Sequence, residues 1–148
     1  MKVLAFTNMY PTEKKPSYGS FVKTQIDSLI KKGVDIDIFV IRGDLNKLDY
    51  FLAIFRLLWQ CSTRRYDLVH AHYGLSGLVA RMQLRYPVII SFCGDDLYGH
   101  SNRRGRPTLT SLFWVWCHKG LSRWTEGVIV KSEAMKKLLP CKHATVIP

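Results

Sequence analysis

The sequence predicts an α/β domain built on a doubly wound, parallel, Rossmann-like sheet. Short runs rich in Val, Ile and Leu alternate with longer helical patterns, and most connections between them are short. The strand runs are almost continuously apolar, as expected for strands that are covered on both faces. The chain has 148 residues, of which 47% are hydrophobic and 22% charged, so it fits one ordinary globular domain rather than a disordered, collagenous or coiled-coil protein.

Six strands and five helices are predicted in alternation. The strands cover residues 2–8, 35–41, 67–72, 88–92, 127–131 and 145–147, and the helices cover residues 21–32, 45–61, a segment from about 75, 108–123 and 132–139. Val22, Ile26, Leu29 and Ile30 mark one apolar face of the first helix, and Gly33 ends it. Ser132 is placed to cap the last helix, which stops at Pro140.

Two predicted connections are too long to be tight turns, residues 9–20 and 93–107. Both follow strands, and parallel α/β sheets bind ligands at the carboxyl ends of their strands. Long loops at that edge are more often functional than incidental. The sequence therefore places the candidate ligand site there.

The charge balance favours anionic partners. The chain carries 22 Lys and Arg against 11 Asp and Glu, a formal net charge of +11. Between residues 97 and 125 no acid occurs, while three tryptophans accompany five bases: Arg103, Arg104, Arg106, Lys119 and Arg123. This mixture suits an anionic membrane or acceptor; a solvated helix face with core aromatics is the alternative.

The cysteines and the apolar runs bear on localisation. The four cysteines are widely spaced, without a Cys-x-x-Cys pair or zinc-site spacing, which favours a reducing cytoplasm. The first apolar run is too short for a signal peptide. The most apolar segment, residues 50–59, is interrupted by Arg56, so we expect any membrane contact to be peripheral.

The first candidate site motif is Tyr18-Gly19-Ser20, between the first strand and the first helix. It is neither a Gly-x-Gly-x-x-Gly fingerprint nor a phosphate loop, so readings based on NAD or ATP lose their main support. Backbone N–H groups at a helix N-terminus can hold an anion, and a glycine lets it approach. A plain helix start is the alternative.

The second motif contains His70 and His72, which alternation places on one face of the third strand, with His72 nearer the carboxyl end. We expect His72 to reach the cleft as a hydrogen-bonding residue. A metal pair is the alternative, although the sequence shows no third ligand.

The third motif, Cys93-Gly94-Asp95-Asp96, follows the fourth strand. Two carboxylates at this edge can accept hydrogen bonds from sugar hydroxyls or hold a divalent ion, whereas turn and cap roles are the alternative. Cys93 is either a nucleophile or a buried thiol, and the lack of a basic neighbour in sequence favours the thiol.

A fourth motif, Ser132-Glu133, opens the last helix at the same edge. Both residues are candidates for ligand binding. Helix capping explains them without any function.

The order of the motifs carries more information than any one of them. Tyr-Gly-Ser-Phe-Val-x-x-Gln is followed by Asp-Leu-Val-His-Ala-His-Tyr, then by Pro-Val-Ile-Ile-Ser-Phe-Cys-Gly-Asp-Asp, Gly-Val-Ile-Val-Lys-Ser-Glu-Ala-Met and Val-Ile-Pro. This order resembles the N-terminal domain of retaining GT-B glycosyltransferases of family 4, over residues 1–148. The group contains many bacterial enzymes that glycosylate cell-surface polysaccharides and lipids.

The resemblance implies two Rossmann-like domains facing each other across a cleft. The N-terminal domain holds a glycan or glycolipid acceptor, and a C-terminal domain, which this chain does not include, binds the nucleotide-sugar donor. It implies retention at the transferred sugar and neither metal nor cofactor. Since the chain stops at Pro148, where the linker would begin, we expect either a truncated chain or a separated half, and in both cases no turnover by the isolated chain.

Individual residues match the family pattern as follows. Gly19 with Ser20 matches the glycine loop near the donor diphosphate, His72 matches the histidine after the third strand, and Cys93 to Asp96 match the His-Gly-x-Asp segment of the reaction centre. Asp95 and Asp96 are the candidate catalytic residues. The departures are a single glycine preceded by Tyr18, and Cys93 where many members have histidine.

Two other functions stay open at this point. A non-catalytic module that binds nucleic acid or an acidic partner rests on the net charge alone. A metal-dependent hydrolase would use His70, His72 and Asp95.

Overall fold

A computed structural model describes residues 1–43, 45–100 and 108–148. Its centre is a parallel sheet of six strands in the order β2-β1-β3-β4-β5-β6. The strands are β1 (Lys2–Thr7), β2 (Asp35–Val40), β3 (Leu68–His72), β4 (Val88–Ser91), β5 (Gly127–Val130) and β6 (Ala144–Val146). Each lies within one residue of its predicted bounds, so the predicted fold class is confirmed.

In the described ranges, six helices connect and follow these strands. They are α1 (Ser20–Lys31), α2 (Asp49–Thr63), α3 (Gly74–Ala80), α4 (Asp95–Tyr98), α5 (Leu109–Leu121) and α6 (Glu133–Lys137). The Ser132 hydroxyl accepts a hydrogen bond from the Met135 backbone N–H at 3.3 Å, which confirms the predicted cap of α6.

The predicted start of α2 at residue 45 is wrong by four residues. Asp49 begins the helix. Its carboxylate accepts a hydrogen bond from the Arg42 backbone N–H at 2.7 Å and forms an ion pair with Arg56, two turns further along the helix. An acidic residue in the first turn also suits the helix dipole. The preceding residues form turns instead, with the Asn46 side chain accepting from the Leu48 N–H.

The predicted loop over residues 93–107 is also wrong at its start, where the short helix α4 forms. Gly94 turns the chain with φ 127°, a value that favours glycine, and the Asp96 carboxylate accepts backbone hydrogen bonds from Cys93 and Gly94. The turn therefore closes on a side chain, a contact that no periodic pattern reveals.

The sheet separates two packed layers. Phe6, Ala71, Ile90 and Val128 occupy neighbouring positions in register on β1, β3, β4 and β5, and this face packs against α2, α3, α5 and α6. The opposite face carries α1, which packs against Ala5. Because all strands are parallel, their carboxyl ends meet at one edge, where the candidate site lies.

Candidate functional site

An open cleft of about 900 Å³ lies at the carboxyl edge of the sheet, beside α1. We call it the carboxyl-edge cleft. Helix α1 lines one wall with Ser20, Phe21, Thr24, Gln25 and Ser28. The chain leaving the strands supplies the rest, chiefly Tyr73 after β3, Cys93 and Asp95 after β4, and Lys131 after β5. Hydroxyl, amide, carboxylate and ammonium groups thus line one space, together with the apolar side chains of Met9, Phe21, Ile147 and Pro148.

Three of the predicted site residues, Ser20, Cys93 and Asp95, meet in this cleft. Gly94 lies between the last two, and a Cβ at its position would meet no atom within 4 Å. The positive φ of the backbone, and not crowding, therefore explains why a glycine occupies this position.

Gly19 has a structural role. It is buried with φ 71°, and a Cβ there would lie 2.5 Å from the Met9 carbonyl carbon and oxygen. The missing side chain thus admits the backbone of the preceding loop. Tyr18 lies on a separate cavity of about 550 Å³ between that loop and the end of β2, and its hydroxyl donates to the Asn8 carbonyl at 3.4 Å.

The two adjacent carboxylates have different environments. Asp96 is 1% exposed, and it accepts backbone hydrogen bonds from Cys93, Gly94 and Gly74. Burial raises its pKa, an effect that the backbone donors oppose. Asp95 is exposed and lines both the carboxyl-edge cleft and a cavity of about 150 Å³ beside α5. Asp95 is therefore the carboxylate that a ligand can contact directly.

Cys93 lines the cleft as a protonated thiol. Burial, and then the charge of Asp96, raise its pKa to about 12, while Lys131 acts in the opposite sense. A thiol with this pKa is a poor nucleophile at neutral pH. The buried-thiol interpretation of the sequence fits this environment.

His70 and His72 lie beneath the cleft in a buried polar row on the face that carries α1. His70 shares a hydrogen bond of 2.8 Å with the Ser91 hydroxyl. Burial, followed by the nearby charge of Lys131, lowers the pKa of His70 to about 4. His72 is 1% exposed, its pKa is lowered by burial, and neither of its ring nitrogens has a hydrogen-bond partner in the part of the chain that the structure describes.

The metal alternative gains no support from this geometry. Within residues 1–43, 45–100 and 108–148, no three His, Cys, Asp or Glu side chains form a group suited to a metal ion. His70 and His72 pack against each other with ring centroids 4.3 Å apart, whereas Asp95 faces the cleft.

The remaining predicted residues lie elsewhere. Ser132 serves as the helix cap and Glu133 is exposed on α6. Lys119 is half-buried and Arg123 exposed near the end of α5, while Arg103, Arg104 and Arg106 lie outside the described residues. No helix in the described ranges combines the length and the apolar character needed to cross a membrane.

The sequence reasoning did not single out Tyr73 and Lys131. Lys131 directly follows β5, so the rule that ligands bind at strand ends was sufficient to find it. Tyr73 follows β3 with φ 77° and ψ 145°, values that a side-chain-bearing residue rarely adopts, and it lines both the cleft and the smaller cavity. Such strain concentrates at functional sites, but it has no sequence signal here.

A parallel Rossmann-like sheet with an open cleft at its carboxyl edge has the architecture of a ligand-binding α/β domain. Residues 31–145 match the glycosyl transferase 4-like domain, and the chain belongs to that family. No curated protein matches the chain.

Proposed function

We propose that this chain is the acceptor-binding, N-terminal domain of a retaining GT-B glycosyltransferase. It would take its sugar from a nucleotide-sugar and transfer it to a cell-surface polysaccharide or a lipid-linked acceptor. The observation that carries the proposal is the carboxyl-edge cleft, which combines α1 hydroxyls, Asp95 and Lys131 in a member of a glycosyltransferase family. In ligand sites a few placed polar groups within a largely apolar lining fix the orientation of the ligand, and the cleft has this kind of lining.

In the proposed reaction the domain acts mainly by positioning. Ser20, Thr24 and Gln25 would hydrogen-bond acceptor hydroxyls, while Asp95 accepts from the hydroxyl that lies nearest the reaction centre. Lys131 supplies a positive charge that favours an anionic substrate group or the leaving diphosphate. Holding donor and acceptor in contact removes much of the entropic cost of their reaction.

We propose that a second Rossmann-like domain supplies the donor site, as the family resemblance implies. The nucleotide-sugar is a substrate, so the scheme uses no cofactor and no metal. The enzyme would work in the cytoplasm, at the inner membrane face. Lys119 and Arg123, together with Arg103, Arg104 and Arg106, would favour an anionic membrane or acceptor.

The alternative is a basic module that binds nucleic acid. The net charge of +11 favours it, but the cleft lining includes Asp95 and is mostly uncharged. Oligonucleotide affinity that falls steeply with salt would support this alternative, and absent binding at low salt would remove it.

The test is sugar transfer by the domain together with its donor-binding domain. A panel of nucleotide-sugars would be supplied with polysaccharide and lipid-linked acceptors, and transfer measured by mass spectrometry. We expect transfer from at least one donor and a loss of about tenfold or more in Asp95→Asn, because a charge-assisted hydrogen bond at the acceptor is removed.

Asp35→Asn is the matched control, since Asp35 is an exposed carboxylate at the amino end of β2. Absence of both transfer and donor hydrolysis across the panel would contradict the proposal. Equal activity of Asp95→Asn and Asp35→Asn would remove Asp95 from the site.

A further inference from the structure

A second, smaller cavity of about 150 Å³ lies beside the carboxyl-edge cleft and is bounded by α4 and α5. We call it the α5 cavity. Tyr73 and Asp95 line both spaces, so the two are neighbours. Pockets for drug-sized ligands span about 300–1,000 Å³. The α5 cavity therefore has room for one ring or one small group of a larger ligand.

His118 lines the α5 cavity with an unpaired ring nitrogen. The residue is 3% exposed, and its Nδ1 lies 2.9 Å from the Asp96 backbone oxygen. Because a carbonyl oxygen only accepts, Nδ1 carries the hydrogen of this bond. Nε2 has no hydrogen-bond partner among the residues that the structure describes. Burial lowers the pKa of His118, so the ring is neutral at pH 7 and Nε2 is a buried acceptor that lacks a donor.

The imidazole of His118 is held in place by its neighbours. Gly74 packs against it so closely that a Cβ on Gly74 would lie 2.5 Å from two of its ring carbons. Trp114, one turn earlier on α5, stacks on it with ring centroids 6.1 Å apart and planes inclined by 28°. A ring held in this way cannot turn to find another partner. Since buried polar atoms ordinarily have a partner, Nε2 marks the α5 cavity as a place for a hydrogen-bond donor.

The rest of the lining narrows the chemistry of that donor. Asp95 adds a carboxylate, so a ligand that donates at two positions satisfies both acceptors. Trp114 is 43% exposed and offers an aromatic face against which the C–H groups of a sugar ring can pack. An ammonium group could donate as well, but the net charge of +11 repels cations. A ring that bears hydroxyl groups therefore fits the cavity best.

Tyr73 lies between the two spaces. Its backbone has φ 77° and ψ 145°, and its ring centroid lies 6.2 Å from that of His118. Backbone strain of this kind persists where the surrounding structure enforces it, often at ligand sites. Burial raises the pKa of Tyr73 to about 12, so its hydroxyl keeps its proton. Tyr73 can thus donate to a ligand that extends from one space into the other.

We propose that the α5 cavity is a second acceptor subsite, which holds the sugar ring next to the one bound in the carboxyl-edge cleft. Nε2 of His118 accepts a hydrogen bond from a hydroxyl of this ring, Trp114 packs against its C–H face, and Asp95 contacts both sugars. The acceptor is consequently a glycan of at least two units. The inference rests on the proposed function for the nature of the ligand and adds the length of the acceptor.

The experiment titrates the chain with methyl hexosides and with α- and β-linked disaccharides of glucose, galactose and mannose, followed by nuclear magnetic resonance. The indole N–H of Trp114 and the ring nitrogens of His118 report on the α5 cavity, and the amides of Ser20 and Thr24 report on the cleft. We expect at least one disaccharide to bind about tenfold or more tightly than its methyl hexoside and to shift both sets of signals.

Two substitutions of His118 separate its Nε2 from its structural contact. The amide of His118→Asn reaches only as far as Nδ1, so it keeps a donor for the Asp96 carbonyl and removes the acceptor. Affinity for that disaccharide should fall about twofold to tenfold, the range of one hydrogen bond, while affinity for the methyl hexoside stays unchanged. His118→Gln, whose amide oxygen can reach the position of Nε2, should recover part of the loss.

Trp114→Ala is a second variant, at a partly exposed position. It should weaken disaccharide binding about tenfold, because the ring loses its aromatic wall. Trp116→Ala is the matched control and should bind like wild type. Trp116 is 72% exposed on the same helix and is not among the described residues that line the α5 cavity. Thermal unfolding checks that each variant is folded.

Three results would overturn the inference: disaccharides that bind no more tightly than methyl hexosides, Trp114→Ala that binds like Trp116→Ala, or disaccharide binding that shifts the cleft amides and leaves the His118 nitrogens unchanged. Each of these leaves the proposed function standing. Failure of sugar transfer with disaccharide binding intact would count against the proposed function alone.

Discussion

At the scale of single residues, the structure separates two aspartates that the sequence presents as equivalent. Asp95 and Asp96 follow the same strand and are both candidates for a sugar contact. One opens to the cleft, and the other points inward to three backbone N–H groups. The sequence places both at the correct edge because strand ends are predictable, but which one turns inward depends on the local path set by Gly94.

Replacing Asp96 should therefore damage the fold rather than the chemistry alone. Asp96→Asn puts an amide N–H₂ where an acceptor is required, so we expect a loss of about 1–3 kcal/mol in the free energy of unfolding. Asp95→Asn should change it by less than about 0.5 kcal/mol. Urea unfolding followed by circular dichroism measures both, and similar losses in the two variants would contradict the division of roles.

At the scale of elements, the strand pattern is predictable and the helix starts are less so. Continuous apolar runs define the buried strands to within one residue. The start of α2 depends on Asp49 bonding back to Arg42, and α4 depends on Asp96. These are contacts between side chain and backbone, which hydrophobic periodicity does not register.

The loop before α1 provides an element-scale prediction. Gly19→Ala should lower the free energy of unfolding by about 3 kcal/mol, because φ 71° strains any other residue and the added Cβ would overlap the Met9 backbone. Thermal and urea unfolding measure the loss.

Gly120→Ala is the matched control, since Gly120 lies in α5 with nothing near its missing Cβ. It should be neutral or stabilising by up to about 1 kcal/mol. If the two substitutions lower the free energy of unfolding by the same amount, the Met9 backbone does not pack closely against Gly19.

At the scale of the whole molecule, a chain with a net charge of +11 buries three histidines, two on the sheet face that carries α1 and one on α5. Burial lowers the pKa values of His70, His72 and His118. Alternation predicts that His70 and His72 share a face, but it does not predict their depth, because depth follows from α1 covering that face. His72, which we expected to reach the cleft, lies beneath it for this reason.

Acid should consequently destabilise the fold. The unfolded chain binds a proton at His70 near pH 6.5, whereas the folded chain does so near pH 4, so the contribution of His70 is present above pH 6.5 and is lost as the pH falls towards 4. The difference between these two pKa values corresponds to roughly 3 kcal/mol of stability. Comparing wild type with His70→Asn isolates the contribution of His70 to the free energy of unfolding. The comparison is needed because the pKa of Asp96 is raised, which makes its contribution change with pH in the opposite direction. Parallel pH profiles of the two proteins would contradict the account.

The central claim is that the carboxyl-edge cleft binds a sugar acceptor. The most direct test is a map of backbone amide chemical shifts in the chain during titration with methyl glycosides of common hexoses. The account predicts changes concentrated at Ser20, Thr24, Asp95 and Lys131. Changes confined to other surfaces, or none at the solubility limit of every glycoside, would contradict it.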